Sequence, residues 1–282
     1  MINCLSFYQY LPFHLNPTAF SLGFLKIDWY SLAYIVSFIA VYFLIRYRIK
    51  KAENNFNFNV DMLLDLLFYS FFGLLLGGRL GYVLFYNFSY YFKNPIAIIS
   101  PFDPITHDFV GIYGMSYHGG LIGVLLLAWF FARKNKINFY KLTNFVVPAV
   151  PAGYFFGRLG NFFNGELYGR ITSKFWGMYF PTDPLGTLRH PSQLYEAILE
   201  GLVIFIILWI IRNKENFRDK TLGIYLFSYA FFRIIIEFFR EPDPQIGYIL
   251  SFLTLGQVLC IIMALLGIGL IVYSKKTEKM LK

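Results

Sequence analysis

Seven long apolar stretches constrain the fold of this 282-residue chain more than any other feature of its sequence. A membrane hydrocarbon core about 30 Å thick requires about 20 mostly apolar residues in a helix that crosses it. The sequence therefore predicts seven transmembrane helices, over residues 29–45, 62–86, 117–132, 142–164, 193–211, 222–239 and 252–272.

Composition supports a membrane protein, because 57% of the residues are apolar and only 15% are charged. The net charge of +9 does not indicate nucleic-acid binding, since the basic residues stand in small groups between the apolar runs. The two cysteines, Cys4 and Cys260, lie far apart and offer no disulfide framework, zinc site or redox motif.

The basic residues also predict the orientation of the spans. Of the 25 Lys and Arg residues, 16 lie in segments 46–54, 133–141, 212–220 and 274–282, which follow the first, third, fifth and seventh spans. Six lie on the other side of the membrane and three lie inside spans. By the positive-inside rule, the N-terminus is outside and the C-terminus is cytoplasmic.

No repeat, low-complexity tract or linker divides the sequence. We therefore predict one all-α polytopic membrane domain over residues 1–282. The outer segments 87–116 and 165–192 are long for simple connections and rich in aromatic residues, Gly and Pro. Such segments favour a small periplasmic head or lid folded over the membrane surface.

Three arginines lie inside predicted spans: Arg79, Arg158 and Arg233. A central arginine costs about 2.5–3.5 kcal/mol on insertion scales, so each needs a partner or a water-filled cavity. With the predicted orientation, these arginines and His118 all lie in the outer half of the membrane. They are candidates for function for that reason.

Helical spacing gives two of these arginines polar neighbours. Arg158 and Asn161 are three residues apart and share a helix face, next to glycines 157 and 160, which leave room for a ligand or another helix. Tyr229, Arg233 and Glu237 recur at four-residue intervals and form one polar stripe.

Structural explanations remain open for several of these residues. Arg233 and Glu237 could form an ion pair that makes both tolerable in lipid. Glu196 and Glu200, on a face shared with Gln193, could pair with arginines or take part in catalysis.

His118 could be an interfacial histidine with no more than a hydrogen-bonding role. The two residues that follow it favour a catalytic role instead. Gly119 and Gly120 lack side chains, so we expect them to leave room beside the imidazole. Histidine titrates near neutral pH, so proton transfer is chemically available to this side chain.

The residues favour a site for an anion reached from the outer leaflet, because guanidinium groups bind phosphate through bidentate hydrogen bonds. A phospholipid headgroup is the anion found at that depth. An anionic-lipid transporter or flippase is the alternative, but its path needs polar residues from both faces. The cytoplasmic halves of the spans are apolar apart from charges at the helix ends.

A family resemblance rests on five motifs. Residues 157–169 read Gly-Arg-Leu-Gly-Asn-Phe-Phe-Asn-Gly-Glu-Leu-Tyr-Gly. The other four read Asp-Trp-Tyr at 28–30, Gly-Arg-Leu-Gly-Tyr at 78–82, Tyr-His-Gly-Gly at 117–120 and Arg-His-Pro-Ser-Gln-Leu-Tyr-Glu at 189–196. With Tyr229, Arg233, Glu237, Arg240, Pro242 and Asp243, this series resembles bacterial prolipoprotein diacylglyceryl transferases over almost the whole chain.

The resemblance implies a reaction and its partners. The diacylglyceryl group of phosphatidylglycerol would move to the thiol of the lipobox cysteine in the signal peptide of a preprolipoprotein, giving a thioether and releasing glycerol phosphate. The enzyme would lie in the bacterial cytoplasmic (inner) membrane among membrane lipids, with its site toward the periplasm. The resemblance implies no metal or organic cofactor.

The resemblance also assigns residues by motif position. Arg158 and Arg233 match essential arginines, and other important positions are Tyr30, His118, Asn161, Gly169 and Tyr229. Supporting positions are Arg79, Glu166, Gln193 and Glu237.

Chemistry suggests a role for each of these groups. Arg158 and Arg233 would jointly stabilise the leaving phosphate, and His118 is the candidate base for the substrate thiol, with an arginine-stabilised thiolate as the rival. Asn161 and Tyr30 would orient lipid oxygens, with Gly169 also in the lipid site. Tyr229 would either orient lipid oxygens by hydrogen bonding or pack on the acyl chains.

Overall fold

A computed structural model describes residues 4–22, 25–100, 102, 114–241, 248–249 and 253–280. The main helices are α1 (Cys4–Gln9), α2 (Leu11–His14), α3 (Trp29–Lys50), α4 (Val60–Phe85), α5 (Phe88–Lys93), α6 (Tyr117–Lys134), α7 (Phe139–Val146), α8 (Val150–Phe163), α9 (Ser192–Glu196), α10 (Ile204–Ile211), α11 (Thr221–Glu237) and α12 (Leu255–Met280). Short 3-10 turns cover Pro95–Ile98, Val147–Ala149 and Arg218–Lys220, and a π-helical segment covers Ala197–Val203. The strands are β1 (Thr18–Leu22), β2 (Leu25–Asp28), β3 (Tyr248–Ile249) and β4 (Leu253–Thr254).

Helix occurs within every predicted span. Among the described residues, four helices are long and apolar enough to cross a membrane: Trp29–Lys50, Val60–Phe85, Ser192–Ile211 and Gly256–Ser274. The chain is thus a mostly helical protein with apolar helices that fit a membrane. Two short antiparallel strand pairs, β1–β2 and β3–β4, add to the helices and were not predicted.

The fourth and fifth predicted spans are not regular α-helices throughout. A 3-10 turn, Val147–Ala149, separates α7 from α8, and prolines stand at 148 and 151. Proline has no backbone N–H and its ring clashes with the preceding turn, which explains the break. In the fifth span, the π-helical segment joins α9 to α10.

The described chain divides into two compact units, residues 1–47 with 143–282 and residues 48–142. The second unit contains α4 and α6, which approach each other closely through glycines. A Cβ atom at Gly77 would lie 2.8 Å from Cα of Gly123, and one at Gly119 would lie 2.8 Å from Cα of Gly81. Only glycine fits at such helix contacts.

This packing changes the interpretation of the two glycines after His118. Both are buried, and a Cβ atom at Gly120 would lie 2.9 Å from Cδ1 of Leu74. Helix α4 therefore occupies the space that the sequence had suggested was left beside the imidazole. Gly119 and Gly120 serve helix packing.

In the first unit, α8 packs against α3 and against the π-helical segment. A Cβ atom at Gly160 would lie 2.9 Å from Cβ of Ala33, and Ser37 donates a hydrogen bond of 2.8 Å to the carbonyl of Gly153. A Cβ atom at Gly201 would lie 2.8 Å from Cα of Phe155. These close approaches fix α8 between α3 and the π-helical segment.

The segment 165–192 folds compactly between α8 and α9. Met178 and Phe180 are 1% exposed and form an apolar cluster with Phe162. Backbone hydrogen bonds join Met178 and Arg189 in both directions, at 2.8 and 2.9 Å. Residues 103–113 of the other outer segment, together with Pro242 and Asp243, lie outside the described residues.

Candidate active site

The buried centre of the first unit is an ion-pair network around Arg158 of α8. Its Nε atom lies 2.7 Å from Oε2 of Glu196, whose side chain is 1% exposed. Its Nη1 atom donates a hydrogen bond of 3.2 Å to Oδ1 of Asn161. The predicted shared face of Arg158 and Asn161 is confirmed, and Glu196 is the partner that an arginine needs in an apolar environment.

Arg233 of α11 joins the network through the same carboxylate. Its Nη1 atom lies 3.4 Å from Oε2 of Glu196 and 3.7 Å from Oε2 of Glu200. Its Nε atom lies 3.4 Å from Oε2 of Glu237, which confirms the predicted i,i+4 ion pair. Oε2 of Glu196 thus contacts both guanidinium groups, and three helical segments of the first unit meet at this atom.

Tyr154 also belongs to this network, although no sequence pattern described above predicted it. Its ring centroid lies 4.8 Å from Cζ of Arg158. Its hydroxyl donates a hydrogen bond to Oε2 of Glu200 and lies 3.5 Å from Oε2 of Glu196. The available signal was the i,i+4 spacing of Tyr154 and Arg158 in an apolar helix.

A chain of hydrogen bonds leads from Arg158 out of α8. Asn161 donates from Nδ2 to Oε1 of Glu166 at 2.8 Å. Gln193 of α9 donates from Nε2 to the backbone carbonyl of Glu166 at 2.6 Å. The two supporting positions predicted here, Glu166 and Gln193, therefore connect the end of α8 to the start of α9.

Two predicted tyrosines lie near the network. Tyr229 of α11 packs its ring against Tyr154, with centroids 5.8 Å apart and planes at 89°. Tyr30 of α3 lies against Gly160, and its hydroxyl is 3.0 Å from that of Tyr34. Both predicted tyrosines thus belong to the first unit together with Arg158.

Gly169 lies where the segment 165–192 meets the end of α11. Its backbone N–H donates to the carbonyl of His190 at 2.8 Å, and it forms an isolated β-bridge with Arg240. A Cβ atom at this position would lie 3.0 Å from Cβ of His190 and still closer to the carbonyl of Phe239. A side chain cannot be accommodated there, so the glycine is explained by backbone approach.

Arg79 and His118 belong to the second unit. Arg79 donates to the carbonyls of Ile98 and Ala97, each at 2.7 Å, and lies 5.0 Å from the ring centroid of Tyr91. This arginine anchors the 3-10 turn after α5, and its supporting role stays a prediction. His118 is exposed in the first turn of α6.

A second ion pair organises the segment 165–192. Arg189 donates from Nε and Nη2 to the two carboxylate oxygens of Asp183, each at 2.9 Å, and Asp183 is buried. The backbone N–H groups of Leu185 and Thr187 also donate to this carboxylate. Arg189 and these donors hold the pKa of Asp183 well below its usual range, because they stabilise the charged form.

Replacing Asp183 with asparagine is expected to lower the free energy of unfolding by about 3 kcal/mol at pH 7, because the buried Arg189 loses its buried charge partner and keeps only Glu241, a half-exposed carboxylate at 2.8 Å. The folded-state pKa of Asp183 is depressed, so the stabilisation is present above the unfolded pKa of about 4 and is lost as pH falls through the folded value. Thermal unfolding at pH 7 and below pH 4 measures the loss of stability and its pH dependence. The difference in Tm between Asp183→Asn and the unsubstituted protein should shrink in acid.

Asp219→Asn is the matched control, since Asp219 is 42% exposed and lies 4.0 Å from Arg218. It should change Tm little, because exposed pairs contribute about 0–1 kcal/mol. Equal Tm values for Asp183→Asn and the control would contradict a structural role for the buried pair.

The guanidinium groups are the part of this network that can bind an anion. Arg158 and Arg233 meet three carboxylates within 3.7 Å, so carboxylates surround both guanidinium groups at rest. Among the described residues, the buried Nη1 atom of Arg233 has no hydrogen-bond partner. It is ion-paired with Glu196 and Glu200 at 3.4 and 3.7 Å, so an incoming oxyanion would accept from this N–H in place of these carboxylates.

Comparisons with known proteins agree on one family. The model of the prolipoprotein diacylglyceryl transferase family matches residues 17–273. A phosphatidylglycerol–prolipoprotein diacylglyceryl transferase of Chlorobaculum tepidum is 48% identical over 278 residues, covering 98% of this chain and 96% of the relative. Proteins of the same name in Rickettsia felis and Legionella pneumophila are 48% and 45% identical, covering 93% and 91% of this chain and 97% and 96% of the relatives.

Proposed function

The chain belongs to the prolipoprotein diacylglyceryl transferase family, and we propose that it performs its transfer reaction at the Arg158 and Arg233 network. It is a diacylglyceryl transferase that uses phosphatidylglycerol and prolipoprotein, as its relatives' names state. The observation that carries the site is the carboxylate of Glu196, which brings the two arginines together in the buried centre of the first unit.

The proposed reaction is a displacement at the sn-3 carbon of the lipid glycerol. The sulfur of the lipobox cysteine forms a C–S bond as the C–O bond to phosphate breaks, and the thiol proton passes to a base. The products are a thioether-linked diacylglyceryl peptide and glycerol phosphate. The nucleophile belongs to the substrate, so the reaction requires no cysteine of the enzyme.

The two guanidinium groups would stabilise charge on the leaving phosphate. A phosphate oxygen entering the network would accept from Nη1 of Arg233 and would compete with Glu196 for Arg158. Preorganised donors aimed at developing charge commonly contribute a hundredfold to a thousandfold in rate. Asn161 and Tyr30 would orient lipid oxygens, and Gly169 would keep the backbone of the segment 165–192 beside them.

We further propose the membrane arrangement that this site requires. The seven helical spans would form a single membrane domain, residues 1–282, with the N-terminus outside and the C-terminus cytoplasmic. The site would then face the periplasmic leaflet of the inner membrane, and the outer segments 87–116 and 165–192 would form a small periplasmic head or lid. The distribution of Lys and Arg supports this orientation.

The proposed function is tested by reconstituting the purified protein with phosphatidylglycerol and a lipobox peptide. The peptide should gain the mass of a diacylglyceryl group, and an equal amount of glycerol phosphate should be released. A peptide with serine in place of the lipobox cysteine is the control and should gain no mass. Absence of modification by folded protein would refute the transfer reaction.

His118 remains the proposed base for the substrate thiol. His118→Gln should lower kcat about a hundredfold near neutral pH, as loss of a general base does. His14→Gln is the control, because His14 stacks on Phe7 in the N-terminal segment and has no assigned role. Full rates for His118→Gln between pH 6 and 8 would make the base assignment wrong.

A further inference from the structure

Tyr154 makes more contacts with the charged network than its position within an apolar helix would suggest. Its ring lies under the Arg158 guanidinium at 4.8 Å, and its hydroxyl donates to Glu200. The same hydroxyl lies 3.5 Å from Glu196. One side chain thus touches one arginine and two carboxylates.

The backbone explains why Tyr154 and Glu200 meet. Glu200 lies in the π-helical segment, and π-bulges inside α-helices are frequent at functional sites. Gly201, the next residue, lets this segment approach Phe155 of α8, since a Cβ atom there would lie 2.8 Å from Cα of Phe155. The approach brings the neighbouring side chains, Tyr154 and Glu200, into contact.

Glu200 depends on Tyr154 for much of its hydrogen bonding. It is 0% exposed, and among the described residues its Oε1 atom has no hydrogen-bond partner. Its Oε2 atom accepts from Tyr154 and lies 3.7 Å from Nη1 of Arg233. The tyrosine hydroxyl therefore fixes the carboxylate that faces Arg233, while the tyrosine ring supports Arg158.

We infer that Tyr154 is a positioning residue that sets the relative placement of Arg158 and Arg233, through its ring on one side and Glu200 on the other. This rests on the proposed function, which places both arginines at the leaving phosphate. Tyr154 itself needs no contact with substrate. Because misplacing transition-state donors lowers kcat more than it raises KM, the loss of Tyr154 should appear in kcat.

The test compares Tyr154→Phe, which retains the ring, with Tyr154→Leu, which removes both ring and hydroxyl. Tyr154→Phe should lower kcat about tenfold and leave KM for phosphatidylglycerol within about twofold. Tyr154→Leu should lower kcat about a hundredfold. Tyr42→Phe is the matched control at wild-type kcat, because Tyr42 also carries an arginine over its ring, Arg46 at 5.8 Å.

A double-mutant cycle with Glu200→Gln tests the route of the effect. If Tyr154 acts through Glu200, the double variant Tyr154→Phe, Glu200→Gln should be no slower than the slower single variant. Wild-type kcat for Tyr154→Phe, or multiplied single effects in the double variant, would overturn the inference. So would a loss of activity that disappears when rates are expressed per folded protein.

Arg158→Ala separates this inference from the proposed function. If Arg158→Ala abolishes turnover and Tyr154→Phe does not slow it, the site stands and the positioning role of Tyr154 is wrong. If Arg158→Ala remains fully active, the proposed site itself is wrong.

Discussion

Arg158→Ala is expected to lower kcat about a thousandfold while the protein remains folded. The substitution removes both the proposed contact of Arg158 with the leaving phosphate and its hydrogen bond to Asn161. Glu196 would keep Arg233 as a charge partner at 3.4 Å, so the network would not contain an isolated carboxylate. Glycerol phosphate release in the reconstituted assay, with Tm measured in parallel, gives both quantities.

Arg158→Lys and Arg46→Ala serve as comparisons for this prediction. Lysine keeps the charge but not the planar pair of donors, so most of the activity should still be lost. Arg46 lies near the C-terminal end of α3, over the ring of Tyr42, whereas Tyr30 lies near the N-terminal end. Arg46→Ala should therefore leave kcat unchanged. Comparable rates for Arg158→Ala and Arg46→Ala would remove Arg158 from the site.

Glu196→Gln is expected to have the largest effect on stability and to slow turnover about a hundredfold. Its Oε2 atom is the shared contact of Arg158, at 2.7 Å, and Arg233, at 3.4 Å. Replacing it with a neutral amide removes the carboxylate that pairs with the buried guanidinium of Arg158, whereas Arg233 keeps Glu200 at 3.7 Å and Glu237 at 3.4 Å. Removing one partner from a buried ion pair costs about 3–5 kcal/mol, so Tm should fall with kcat.

Glu215→Gln is the control for this variant, because Glu215 is exposed in the segment between α10 and α11. It should leave both Tm and kcat unchanged. A Glu196→Gln protein with the Tm and kcat of this control would show that the two arginines do not depend on the shared carboxylate.

Local sequence patterns predicted much of this protein because they report local physics. Helix occurs in every predicted span, since long apolar stretches satisfy the backbone only as regular structure. The spacing of Arg158 and Asn161, and of Arg233 and Glu237, predicted contacts because residues three or four apart on a helix are neighbours.

Contacts between helices were harder to predict. Glu196 and Glu200 could be proposed as partners for arginines, but spacing within one helix could not indicate which arginine each would meet. Gly119 and Gly120 were predicted to leave room beside the imidazole of His118, whereas α4 fills that space through close helix packing. Tyr154 was not identified, since a tyrosine in an apolar helix usually belongs to the core.

By itself the sequence determined a helical membrane protein, its family and the polar residues that its chemistry requires. Only the tertiary structure decided that Arg158 and Arg233 share the carboxylate of Glu196, and that Tyr154 and Glu200 complete their surroundings. The physical reason is that sequence patterns predict contacts between residues that are neighbours along one helix. The pairing of buried charges depends on how closely different helices approach, which Gly201 permits between the π-helical segment and α8.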